Sequence, residues 1–198
     1  MRNWIQAGRA VAMLGLVVAG WTIASVAVAN GAVQAASSGA SLPASSPVEL
    51  TPAVAARLTA LEAELRAGLA PTAAVVARSP GALELWYPVR LAFAADGTEL
   101  LPAANSLLDV VAHSLHSYDG TAIVIAVYTD AIGSADYNQR QSEARAAALV
   151  EALKARGIAP ERLSARGLGK SAQLEAPNTP EGRDLNRRVQ LVITPLSS

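Results

Sequence analysis

TAIVIAVYTDAIGSADYNQRQSEARAAALVEALKARG, residues 121–157, is the stretch whose reading decides the fold. Thr121 to Tyr128 is almost wholly apolar and rich in Ile and Val. That composition predicts a central strand covered on both faces. A helix is predicted from about Asp136 to Arg156, closed by Gly157. On its wheel, Leu149 and Leu153 share one face, flanked by Ala146 and Val150, while Arg140, Glu143, Glu151 and Lys154 point to water. The first two turns break this pattern: Asn138 and Ser142 land on the apolar side and Arg145 at its edge. Buried polar groups are costly unless satisfied, so either the protein or a ligand must satisfy these. Asp130 lies just past the apolar strand, where a sheet delivers side chains to a crevice. A guanidinium takes a carboxylate through two parallel hydrogen bonds, and a neighbouring carboxylate takes an ammonium. Asp130 and Arg145 together therefore suit a zwitterion. An internal Asp130–Arg145 ion pair explains the same residues, and the sequence leaves both readings open.

Outward from this unit, Pro102 starts a helix with Leu107, Leu108, Val110, Val111 and Leu115 on its apolar side, ended by Asp119-Gly120. Ala73 to Ala77 and Leu83 to Phe93 read as strands joined by the turn Ser79-Pro80-Gly81. Arg162 to Arg166 reads as a short strand and Arg188 to Ile193 as the final one. Strands alternating with helices predict an α/β fold: an α+β sandwich, with a mixed sheet and helices packed on it. Thr51 can cap a helix reaching to Leu69, with Pro52 at its first position. Leu58, Leu61, Leu65 and Leu69 form its apolar stripe, to pack on the domain or pair with another chain. Residues 35–50 shift to Ser, Ala, Gly and Pro and read as a flexible tether. In residues 1–34, Arg2 and Arg9 precede an apolar run from Ala10 to Ala29. This is expected to be a cleaved export signal, with Ala27-Val28-Ala29 at the cut, or a retained membrane-spanning anchor. Both deliver the rest of the chain outside the cytoplasm. The expected division is 1–34 signal or anchor, 35–50 linker, 51–90 helix and strands leading in, and 91–198 the main domain.

Three sets of residues carry a resemblance. Thr129-Asp130-Ala131-Ile132-Gly133 with Tyr137-Asn138, Ser142 and Arg145-Ala146 forms the first. Gly167-Leu168-Gly169, Asn178 to Arg183 and Asn186-Arg187-Arg188-Val189 form the second, and Phe93 to Leu100 the third. Together they resemble the OmpA-like C-terminal domain family over roughly Leu91 to Ile193. The resemblance implies a βαβαβ sandwich that binds peptidoglycan without cutting it. It puts the main contacts, to diaminopimelate of the stem peptide, on Asp130 and Arg145. Asp96 in the first loop would add contacts, Thr129 and Asn138 would support them, and Ser142 completes the expected set. It also implies a bacterial cell-envelope location with the domain in the periplasm. The chain departs from the family at Val127-Tyr128, where Gly-His is usual, at Gln141, where Leu is usual, and at Ala95. These departures motivate a second reading: a structural, oligomerising part of an envelope machine with a weakened wall site.

Other chemistries find less support. The net charge is zero, which gives no electrostatic reason for a nucleic-acid partner. There is no Cys, which excludes disulfides, thiolate metal sites, cysteine nucleophiles and a lipid-modified N-terminal cysteine. Gly167-Leu168-Gly169-Lys170-Ser171 approaches a phosphate-binding loop, but Ser164 stands where that loop needs Gly. His113 and His116 share a helix face without an evident third ligand, so no metal and no cofactor is expected. Asp96 and Asp130 could be cast as a glycosidase pair, but nothing in the sequence gives either one the role of general acid. The expectation is a binding protein, not an enzyme. Arg187-Arg188 reads as edge-strand charge or internal ion pairing.

Overall fold

The structure, a computed structural model, describes residues 51–95, 97–176 and 178–196. The expected signal or anchor, the linker and Asp96 lie outside the described residues. Helix α1 (Pro52–Leu69) begins where Thr51 Oγ1 accepts a hydrogen bond from Val54 N at 3.3 Å. Thr51→Ala is expected to cost about 1 kcal/mol in thermal denaturation, the usual loss for an N-cap. The leucine stripe of α1 is buried within the chain: Leu58, Leu61, Leu65 and Leu69 are all at most 2% exposed. They pack against α3 (Pro102–His116) and β1 (Val75–Ser79).

After β1 come β2 (Ala82–Pro88), a helical turn α2 (Val89–Ala92), α3, β3 (Thr121–Tyr128) and α4 (Ala135–Lys154). A 3₁₀ turn (Pro160–Arg162), β4 (Leu163–Gly169), α5 (Pro180–Asn186) and β5 (Arg188–Pro195) complete the order. The strands form one mixed five-stranded sheet in the order β1-β2-β5-β3-β4. Only the β3–β4 pair is parallel; β5 runs antiparallel to both its neighbours. The sheet takes β1 and β2 from residues 51–90, so it runs across position 91.

Register explains the core. Leu83, Ile193 and Ile123 stand in one row across β2, β5 and β3; Leu85, Leu191 and Ile125 form the next; Tyr87, Val189 and Val127 the third. All nine are buried and belong to one apolar cluster with the inward sides of α1, α3 and α4. The alternate residues Glu84, Trp86, Gln190, Val192 and Val124 point to the other face and stay half-buried. As the wheel predicts, α4 buries Asn138, Ser142, Arg145, Ala146, Leu149, Val150 and Leu153.

Several boundaries differ from the reading of the sequence. The strand expected to reach Phe93 stops at Pro88, which has no N–H with which to extend the ladder. Phe93 pairs only with Leu100, closing the first loop. Helix α5 was not foreseen, although Thr179 caps it by accepting from Gly182 N at 3.0 Å and Pro180 begins it. Arg162 does not open a strand; it is buried in the 3₁₀ turn. Its guanidinium donates to Leu115 O, Tyr118 O and Thr121 O, tying the end of α3 to the start of β3. Burial lowers its pKa. Finally, β5 is interior rather than an edge strand, so edge charge does not account for Arg188.

Among the described residues no helix is long and apolar enough to cross a membrane.

Candidate functional site

The ladder between β3 and β4 ends at the pair Tyr128–Gly169, and Thr129 N then donates to Gly169 O at 2.8 Å. This fixes the point at which Asp130 leaves the sheet. Asp130 is 7% exposed. Its Oδ1 accepts from Ile132 N at 3.0 Å, an acid side chain closing a turn two residues on. Its Oδ2 accepts from Arg187 Nη1 at 2.7 Å. Arg187 also bonds Asp184, and Asp184 lies 3.7 Å from Arg90 Nε, so Asp130 ends a four-charge chain. The acid's ion-pair partner is therefore Arg187 and not Arg145. Each carboxylate oxygen keeps a further lone pair for another donor.

Arg145 is 6% exposed and faces the first loop. Its Nε donates to Gly97 O at 2.9 Å, its Nη1 to Gln141 Oε1 at 3.4 Å, and its guanidinium lies 5.3 Å from the centre of the Phe93 ring. The guanidinium thus braces the loop in which Asp96 falls.

The protein satisfies the rest of the polar inward face. Asn138 Nδ2 donates to Ile132 O at 2.7 Å. Ser142, fully buried, donates to Gln139 O and accepts from Gly169 N, each at 2.9 Å. Thr129 Oγ1 donates to Asp130 O at 3.0 Å. Gln173 Nε2 donates to Thr129 O at 3.2 Å and Lys170 Nζ to Gly133 O at 3.3 Å. Asn138, Ser142 and Thr129 therefore hold the backbone that presents Asp130. Ser142→Ala leaves Gly169 N buried without its acceptor and is expected to cost roughly 1–3 kcal/mol, read from urea denaturation.

The sequence reads Arg187 and Arg188 as edge-strand charge or internal ion pairing and names no partner for either. Arg187 holds Asp130, and the i,i+3 spacing from Asp184 was the available signal. Arg188 is 2% exposed, with its guanidinium 3.6 Å from the Tyr128 ring centre and 5.4 Å from that of Trp86. It donates to Ala172 O at 3.2 Å. Burial lowers its pKa to about 10 against the opposing pull of Tyr128, and burial raises the Tyr128 phenol. Tyr128, which stands where the family usually has His, is thus committed to Arg188. Among the described residues no group of three His, Asp or Glu is arranged to hold a metal. His116 Nε2 instead sits 3.0 Å from Arg156 O.

Residues 92–187 match the OmpA family. The probable lipoprotein YiaD of Escherichia coli is 35% identical over 135 residues, covering 68% of this chain and 62% of YiaD. The peptidoglycan-binding protein ArfA of Mycobacterium tuberculosis is 38% identical over 103 residues, 52% of this chain and 32% of ArfA. The chain thus spans less than two-thirds of the length of these relatives. The crystal structure of a putative MotB like protein from Desulfovibrio vulgaris is 25% identical, with a TM-score of 0.66, covering 74% of this chain and 97% of that one. The matched span runs from the last residue of α2 to the residue before β5 and contains every group described above as touching Asp130 or Arg145; these residues form a domain of the OmpA family.

Proposed function

We propose that this chain binds peptidoglycan non-covalently and tethers the cell envelope, or a complex within it, to the wall. The carrying observation is that a buried acid and a buried guanidinium, Asp130 and Arg145, are held by different partners rather than by each other. Asp130 takes the ammonium and Arg145 the carboxylate at the side-chain end of diaminopimelate. Asp96 adds a contact from the first loop, and Thr129, Asn138 and Ser142 fix the backbone around the acid. The likeness to ArfA, a peptidoglycan-binding protein, supports the reading. The site binds without cleaving, and purified sacculi incubated with the chain should release no soluble fragments. Residues 1–34 serve as signal or anchor, residues 35–50 as tether, and the folded part works in the periplasm.

A structural, oligomerising role in an envelope machine would need a surface other than the α1 stripe, because those leucines are buried within the chain. Co-sedimentation with purified sacculi tests the proposal. The chain should pellet with the wall and be released by excess diaminopimelate-containing muropeptide; a chain that stays in the supernatant overturns it.

A further inference from the structure

Arg187 is held at both its backbone and its side chain. Its N–H donates to Arg183 O and its carbonyl accepts from Val89 N, each at 3.0 Å, so the main chain is fixed between α5 and α2. The side chain meets two acids. Nη1 donates to Asp130 Oδ2 at 2.7 Å, and Nη2 donates to Asp184 Oδ1. Asp184 lies in turn 3.7 Å from Arg90 Nε. The Arg187 side chain is 38% exposed, but that of Asp130 only 10%. The acid proposed above to receive an ammonium therefore has its charge balanced already, by a cation that a second acid anchors from behind.

Two cations that share one carboxylate repel each other, and the repulsion is stronger where water is scarce. An ammonium that arrives alone gains Asp130 but must sit beside Arg187. An ammonium with a carboxylate on the same carbon brings its own counter-charge, which in the reading above Arg145 takes. We infer that Arg187 is a positioning residue that acts through Asp130: it makes the site disfavour a lone amine and accept an amine only together with its carboxylate. The inference rests on the peptidoglycan reading but adds no contact to the ligand; it says which group of the protein sets the discrimination. A plain tether between α5 and the Asp130 turn would hold the acid still without telling one guest from another.

The test is calorimetric titration with two muropeptides that differ in one residue, diaminopimelate in one and lysine in the other. Lysine keeps the ammonium and lacks the side-chain carboxylate. The unaltered chain should prefer the diaminopimelate peptide. Arg187→Gln should raise the affinity for the lysine peptide about fivefold, the size of one partly exposed charge interaction. The diaminopimelate peptide should gain less, so the preference narrows. Arg187→Lys keeps the charge and should keep the preference. Thermal denaturation of both variants checks their folding. A lysine peptide whose affinity does not rise in Arg187→Gln overturns the inference. So does an equal change for both peptides, the mark of a tether, and so does a lost preference in Arg187→Lys. If the unaltered chain binds both peptides equally, this inference alone falls; if it binds neither, the peptidoglycan reading falls with it.

Discussion

Replacing Asp130 with Ala is expected to cost roughly 2–5 kcal/mol of binding to diaminopimelate-containing muropeptide, the loss typical of truncating one partner of a desolvated charge pair. Isothermal titration reads this directly. Arg145→Ala should have a similar effect from the other side of the ligand. A folding defect can be separated from the loss of contact. Arg187 is about a third exposed, at 38%, and keeps Asp184 as a partner, so removing Asp130 does not leave it a buried, unpaired charge. Asp130→Asn is the sharper probe. It retains an oxygen for Ile132 N and so preserves the turn, yet it removes the charge an ammonium needs. If Asp130→Asn binds muropeptide as the unaltered chain does, charge complementarity is not the basis of recognition.

Gly167→Ala is expected to destabilise the fold by about 3 kcal/mol, the upper end of overpacking penalties, because the added carbon has nowhere to go. A β-carbon at Gly167 would lie 2.2 Å from Glu143 N and 2.5 Å from Glu143 Cα. These are backbone atoms of α4, and no side-chain rotation relieves the overlap. The helix must lift from β4. In doing so it strains the bond from Gln139 Nε2 to Gly167 O at 2.8 Å and the one from Gly169 N to Ser142 Oγ. Those bonds set the height of α4 above the sheet, and with it the position of Arg145. Chemical denaturation should show the stability loss, and muropeptide affinity should fall with it. A Gly167→Ala variant of ordinary stability would show that α4 does not rest on β4 through its backbone.

Periodicity made α1, α3, β3 and α4 legible, since each buries one continuous set of apolar residues. The polar start of the α4 inward face was legible for the same reason: Asn138 and Ser142 stood where leucines belong. What satisfies them was not, because Ile132 O and Gly169 N are backbone atoms brought there by the turn and by β4. The end of β2 at Pro88 was missed because the apolar run continues through Val89, Leu91 and Phe93, whose pattern suits a strand as well as a helical turn. Arg187 was missed as the partner of Asp130 because the two are 57 positions apart and meet only through the sheet order. The two charges that carry the proposed function were found from the strand end and the family resemblance.

The placing of β5 bears on how the molecule comes into being. It is the last of the five strands in chain order, yet it lies between β2 and β3, and among the described residues no other strand joins the two halves of the sheet. A nascent chain lacking residues 188–195 has two separate ribbons with an empty lane between them. Assembly must therefore wait for synthesis to pass this strand, and its pairings to β2 and β3 span long stretches of sequence, which slows closure. Such a chain stays open and threadable until late, and it becomes vulnerable to proteolysis again if its last segment is clipped.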